Sequence, residues 1–266
     1  MSMPTSASAL ELNAVTRRFP APGTPGNLFT AVERLSFSVR DGEFVAIVGP
    51  SGCGKSTILN LVAGLDRPSD GIVSLGGEPV LGPSPHVGFM LQKDLLLPWR
   101  TLTDNVILGM EIRGTRRGEA RARALPLLRR YGLSGFENAH PNALSGGMRQ
   151  RAALLRTLLF DTDVILLDEP FGALDAQTKL QMQEWLMQLW SDFKKTVVFV
   201  THDVEEAIYL SDEIHVMGTR PGRVLESIPI TLPRPRLRRS SLTPEFIAIK
   251  ERCLNLLTTP ALEEAA

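Results

Sequence analysis

Apolar and polar residues alternate along Leu10–Phe19 ("LELNAVTRRF") and Leu35–Val39 ("LSFSV"), the pattern of strands with one buried face. The turn-rich stretch "PAPGTPGNL" between them predicts an antiparallel connection. Phe44–Val48 ("FVAIV") is short and apolar without a break, which predicts a strand buried on both faces. From Lys55 to Ala63 the period turns helical, and Gly64 is placed to stop that helix. "GIVSLGGEPV" reads as a strand and turn, and "HVGFMLQ" as a further strand. Helical patterns dominate between about Asp94 and Phe160, most clearly in "RRGEARARALPLLRRYGL". A buried strand at Val164–Leu167 follows, then a helix at Ala176–Phe193, the strand "TVVFV", a helix and the strand "EIHVM". From Pro229 the chain is rich in Pro and Arg, and it then carries a short amphipathic piece, "EFIAIKERCLNLL", too short for an independent regulatory domain. Strands alternating with helices around a helical middle predict an α/β fold with a helical insertion.

Composition adds exclusions. Lys+Arg and Asp+Glu both number 29, so a large electrostatic nucleic-acid footprint is not expected. Two cysteines, Cys53 and Cys253, give no disulfide framework and fit a reducing cytosol. The opening "MSMPTSASALEL" lacks the basic and apolar regions of a signal peptide, and no apolar run reaches the roughly 18 residues of a membrane span. The expectation is a soluble chain with no internal repeats.

The strongest chemical signal is "GPSGCGKST", which fits G-x-x-x-x-G-K-[ST] directly after a strand and before a helix. The loop Gly49, Pro50, Ser51, Gly52, Cys53, Gly54, Lys55, Ser56 and Thr57 can wrap a phosphate chain with the backbone N–H groups of its residues other than Pro50, the glycines leaving room where side chains would clash. The helix N-terminus adds its dipole, Lys55 reaches the terminal phosphates, and the Ser56 hydroxyl is a Mg²⁺ ligand. Cys53 reads either as a thiol activated at a helix N-terminus or as a small filler, and the filler is the simpler reading. "VILLDEP" ends a buried strand in Asp168 and Glu169, and ligand sites of open α/β sheets lie at strand carboxyl ends. Asp168 is expected to hold Mg²⁺ beside the phosphate loop, and Glu169 to orient or deprotonate the attacking water. Gln92 and His202 also follow predicted strands: the glutamine can bind water or Mg²⁺, and the histidine can donate to the γ-phosphate. His86, His140 and His215 lack such company and read as structural.

One stretch, "LSGGMRQR" (Leu144–Arg151), places a serine and two adjacent glycines ahead of helix formers, an arrangement no buried core element needs. With "GPSGCGKST", Gln92, "VILLDEP", "GALD" and "THD" in this order, the chain resembles the ATP-binding subunit of an ABC transporter over nearly all of residues 9–225. The resemblance implies a P-loop NTPase core (about 9–93 and 161–228) with an antiparallel β subdomain. It also implies an inserted α-helical subdomain (about 94–160) and a C-terminal tail (about 229–266). It implies that Ser145, Gly146 and Gly147 bind the γ-phosphate of an ATP held by the phosphate loop of a second copy, in a head-to-tail dimer. Leu174 and Asp175 would communicate across that dimer. Phe19, with Phe29 as the alternative, would stack on adenine.

The absence of a fused membrane domain resembles bacterial importers, whose ATPase is a separate subunit. "LLLPWRTLTDNV" and "RPGRV" resemble the nitrate, sulfonate and taurine uptake branch. That implies transmembrane permease subunits as partners, indirectly a substrate-binding protein, and a peripheral location on the cytoplasmic face of the membrane. The apolar Leu95, Leu96, Leu97 and Trp99 then read as part of a docking groove for a permease helix, or else as packing inside the helical insertion. A soluble ABC-type ATPase acting in repair or translation is the alternative, but such proteins usually have two fused halves or a long coiled coil.

Overall fold

The computed structural model describes residues 8–21, 23, 26–219, 221–236 and 238–258. The start of the chain, part of the "PAPGTPGNL" loop, Arg220 of "RPGRV" and the end of the tail lie outside the described residues. In chain order come β1 (Ser8–Pro20), β2 (Leu28–Arg40), β3 (Phe44–Val48), α1 (Lys55–Val62), β4 (Asp70–Leu75) and β5 (Glu78–Pro79). Next are β6 (Val87–Met90), α2 (Leu102–Val106), α3 (Leu108–Ile112), α4 (Arg117–Arg130), α5 (Gly146–Leu158), β7 (Val164–Asp168) and α6 (Ala176–Phe193). Then follow β8 (Thr196–Thr201), α7 (Val204–Leu210), β9 (Glu213–Gly218), β10 (Arg223–Pro229) and α8 (Pro244–Thr258). No described helix is long and apolar enough to cross a membrane.

Two compact units result. The first joins the residues up to Ser84 to those from Thr196 onward; the second is Pro85–Lys195. In the first unit β2, β1, β4 and β5 form an antiparallel sheet, as the alternating pattern requires. The two long strands run further than their apolar alternation: β1 continues to Pro20 and β2 begins at Leu28. The same unit holds β10, β9, β3 and β8 as neighbours, with β3 parallel to both β8 and β9. Every residue of β3 and β8 is buried, as expected of parallel strands covered on both faces. Sequence patterning passed over β10, because apolar Leu225 falls on its exposed side and Glu226 on its half-buried side, so its hydropathy does not follow its burial.

In the second unit β6 and β7 pair in parallel, and the helices come largely as the periodicity indicates. Their starts follow capping chemistry: Thr101 opens α2, Ser145 opens α5 and Asp175 opens α6, each accepting from a backbone N–H of the first turn. The loop before α2 is held by buried Asn105, which accepts from Leu97 N at 2.7 Å and donates to the carbonyls of Leu97, Arg100 and Thr101.

The tail is anchored in the first unit. Arg236, 6% exposed, donates to the carbonyls of Ile208 (2.8 Å) and Ser211 (2.5 Å) at the end of α7, which balances its buried charge. On β9, in register with Ser227 of β10, lies His215, 1% exposed, its Nδ1 2.7 Å from Ser227 Oγ and its ring 4.4 Å from that of Phe37. Burial pushes this imidazole down to about 4. The unfolded chain titrates near 6.5, so between these values only unfolding takes up the proton, and stability falls as pH falls. His215→Asn removes that term. Urea titrations between pH 7 and 4.5 should show the wild type losing up to about 1 kcal/mol per pH unit more than the variant below pH 6. Parallel pH profiles would show that His215 does not titrate in this way.

Candidate functional site

Strand β3 delivers Gly49 to the end of a fully buried strand, and the chain turns through Pro50–Gly54 into α1. Pro50, Ser51, Gly52 and Ser56 are exposed, whereas Cys53 and Lys55 are buried. Gly54 sits at φ 92° as the N-cap of α1. A Cβ there would run into Val32 Cγ1 and lie 3.1 Å from the Ala31 carbonyl, so glycine is required twice over, by φ and by β2 beneath it. The α1 N-terminus has no side-chain cap and no acid in its first turn, so its backbone N–H groups and dipole remain available to an anion. Lys55, 7% exposed, turns its Nζ back onto the loop, 2.7 Å from the Gly49 carbonyl and 3.0 Å from that of Pro50. The glycine backbone, the helix dipole and the ammonium fit a polyphosphate.

The same edge carries His202. Val48 pairs with Thr201 across β3 and β8, so Gly49 and His202 leave their strands at the same carboxyl end. His202 is exposed, and the turn behind it is fixed by Thr201 Oγ1, which donates to Glu206 Oε2 at 2.6 Å and accepts from Asp203 N at 3.0 Å. Further along the β1–β2 ribbon Phe19 pairs with Phe29 at a ring separation of 5.6 Å, and the Arg17 guanidinium lies 4.4 Å from the Phe19 centroid.

In the second unit the parallel register sets Met90 opposite Leu167, so Gln92 and Glu169 both follow carboxyl ends. They meet at Gly172: a Cβ there would lie 3.7 Å from Glu169 Oε2 and 3.8 Å from Gln92 Nε2. Glu169 has φ 44°, a left-handed conformation that a non-glycine residue keeps only when its surroundings impose it. Gly172 N donates to the Glu169 carbonyl at 3.1 Å, and Gln150 Nε2 donates to that of Pro170. Asp168 ends β7, an oxygen donor of the kind Mg²⁺ takes beside phosphate. Asp175 then accepts from Gln177 N, Thr178 N and Thr178 Oγ1, and those bonds, Thr178 first, hold its carboxyl below the usual range.

Ser145 Oγ accepts from Met148 N at 3.3 Å, and Ser145 and Gly146 are both exposed at the start of α5. The two glycines differ in duty. Gly147 is buried, and a Cβ would lie 3.1 Å from Thr178 Cγ2, whereas Gly146 has no neighbour closer than 3.9 Å. The basic residues behind them, whose role sequence reasoning missed, hold the adjoining loops. Arg149 donates to Asp94 Oδ2 (3.1 Å) and the Leu144 carbonyl (2.7 Å), and Arg156 to the carbonyls of Asp94 (2.6 Å) and Leu95 (2.8 Å). One helix therefore fixes the loop after Gln92 and, through Gln150, the loop after Glu169. No local sequence signal marks the partners Asp94 and Leu95, which lie 55 to 62 residues away.

A family model described as "ABC transporter" matches residues 32–172. The chain is 45% identical over 238 residues to an uncharacterized ABC transporter ATP-binding protein of Methanocaldococcus jannaschii, covering 90% of this chain and 88% of that one. It is 43% identical over 247 residues to the taurine import ATP-binding protein TauB of Rhizobium johnstonii, covering 91% and 94%. Among solved structures it is similar to a dimeric post-hydrolysis state of the ATP-binding cassette MJ0796 bound to ADP and Pi, with TM-score 0.71 and 32% identity. That likeness covers 84% of this chain and 100% of that one. A likeness to cbiO1 from Clostridium perfringens, TM-score 0.75 at 21% identity over 94% and 95% of the two chains, bears on the fold alone.

The Cys53 thiol lies buried beside Lys55, and burial pushes it up further than the ammonium draws it down. Cys53 is thus the filler of the loop. At pH 8 a thiol reagent should modify Cys53 of the native protein at least about a hundred times more slowly than in urea. Equal rates would return it to the reactive reading.

Proposed function

We propose, from the premise that this chain belongs to the ABC transporter family, that it is the ATP-hydrolysing subunit of an importer for a small oxyanion. The carrying observation is the buried Lys55 ammonium at the mouth of a glycine loop, backed by an uncapped helix N-terminus. The likeness to a taurine import subunit supports the oxyanion class, with nitrate and sulfonates as the related candidates. A soluble ATPase of repair or translation has no comparable support.

The loop Gly49–Thr57 holds the phosphate chain of ATP through its N–H groups, and Lys55 neutralises charge on the terminal phosphates. Phe19, or Phe29 beside it, offers a ring face to adenine. Ser56, Asp168 and Gln92 are the residues that would hold Mg²⁺, which when bound would offset negative charge on the phosphate oxygens. Glu169 orients the attacking water and takes a proton from it; as the water oxygen bonds to the γ-phosphorus, the bond to the bridging oxygen breaks, and ADP and inorganic phosphate leave. His202 donates to the γ-phosphate and stabilises its developing charge. Ser145 and Gly146 present the α5 N-terminus to the γ-phosphate of an ATP on a second copy, so two copies close head to tail around two nucleotides. Support for the dimer comes from the dimeric state of the similar cassette.

The other partners are permease subunits, with a substrate-binding protein acting through them, at the cytoplasmic face of the membrane. The "LLLPW" segment divides: Leu96 is buried, whereas Leu95 is 51% and Trp99 72% exposed, a pair suited to a permease helix.

Lys55→Ala should lower ATP affinity and abolish hydrolysis. Glu169→Gln should keep ATP bound while turnover collapses about a thousandfold, with dimers accumulating in ATP. Calorimetry, phosphate release and size-exclusion chromatography read these outcomes. ATP affinity unchanged in Lys55→Ala, or wild-type turnover in Glu169→Gln, would remove those residues from the mechanism. Trp99→Ala should leave the subunit's melting temperature intact while weakening its pull-down by permease. A fall in melting temperature with normal assembly would instead make Trp99 a packing residue.

A further inference from the structure

Gly222, in the turn between β9 and β10, has no part in the chemistry above, yet it touches the phosphate loop from behind. It forms a one-residue parallel bridge to Val32: its N–H donates to the Ala31 carbonyl at 3.0 Å, and its own carbonyl accepts from Glu33 N at 2.9 Å. Arg223 then pins the turn to β2 through Glu33, with Nε 2.8 Å from Oε2. The same short piece of β2, Ala31–Val32, is what Gly54 rests on. A Cβ on Gly222 would fall inside the Cys53 carbonyl oxygen and lie 3.0 Å from that of Ala31.

The residue is not glycine for conformational reasons, because it is absent from the residues with positive φ. What forbids a side chain is the Cys53 carbonyl. Relieving the clash would require a separation larger by about 1.3 Å to reach the roughly 3.3 Å of an ordinary carbon–oxygen contact. The Cys53 peptide lies between Gly52 and Gly54, so a push on its oxygen turns the amides of the phosphate cradle.

We propose that Gly222 is a positioning residue for the phosphate loop: its bare Cα sets how far the Cys53 peptide sits from β2, and hence where the loop amides point. This rests on the reading of Gly49–Thr57 as the nucleotide site. A displacement near 1 Å in a preorganised site costs one to two orders of magnitude.

The test is Gly222→Ala in the full-length protein, with Gly82→Ala as control, since a Cβ at Gly82 meets nothing within 4 Å. ADP affinity is measured by calorimetry, melting temperature by calorimetric scan, and Cys53 modification by a thiol reagent with peptide mass spectrometry. Gly222→Ala should bind ADP about tenfold or more weakly and label faster at Cys53, with its melting temperature within a few degrees of wild type. Gly82→Ala should match wild type in all three. Wild-type affinity and labelling in a folded Gly222→Ala protein would overturn the proposal, as would a lowered melting temperature with ADP affinity intact. If Gly222→Ala does not fold, Arg223→Ala decides: the turn loses its pin to Glu33, and ADP affinity should fall several-fold while the fold persists. Unchanged affinity there would also overturn the proposal. Failure of the wild type itself to bind ADP would instead refute the nucleotide site, and Cys53 labelling would still report on the contact.

Discussion

A buried ammonium must have acceptors around it, and Lys55 finds them in the carbonyls of its own loop. That requirement fixes the local chain path: β3 must end at Val48, the loop must curl from Gly49 so that two carbonyls face inward, and α1 must begin at Lys55 itself. With Cys53 N donating to the Pro50 carbonyl at 3.3 Å, the other amides of the loop are the ones an anion can use. Gly54 makes the curl possible, and β2 limits how far it can open.

The second unit meets an analogous requirement by different means. Glu169 is kept in a left-handed backbone conformation by neighbours rather than by its own preference, and the neighbours are organised by α5. Arg149, Gln150 and Arg156 spend their donors on loop carbonyls and on Asp94, so the helix opening at Ser145 also fixes the loops after Gln92 and after Glu169. Any force that shifts the N-terminus of α5 is therefore transmitted to both loops.

The strand and helix core was legible because its signals are local. Unbroken apolar runs gave β3, β7 and β8, and the glycine loop, the acid pair and the serine–glycine stretch each stood out within ten residues. What escaped was long-range. Nothing near Arg156 announces Asp94, and nothing in "RPGRV" announces that its glycine lies against Cys53. Strand β10 was missed because Leu225 sits on its exposed side and Glu226 on its half-buried side, and Cys53 was ambiguous until its burial was known. Gly146 and Gly147 looked alike in sequence; only packing separates the one pressed on Thr178 from the one left open.

The central claim is that the α5 N-terminus serves the phosphate loop of another copy. It is tested most directly by mixing a Ser145→Arg subunit with a Lys55→Ala subunit and measuring phosphate release. One composite site of the mixed dimer then carries both lesions and the other neither, so hydrolysis should recover above that of either homodimer. A mixture as inactive as the two homodimers would contradict the arrangement in trans.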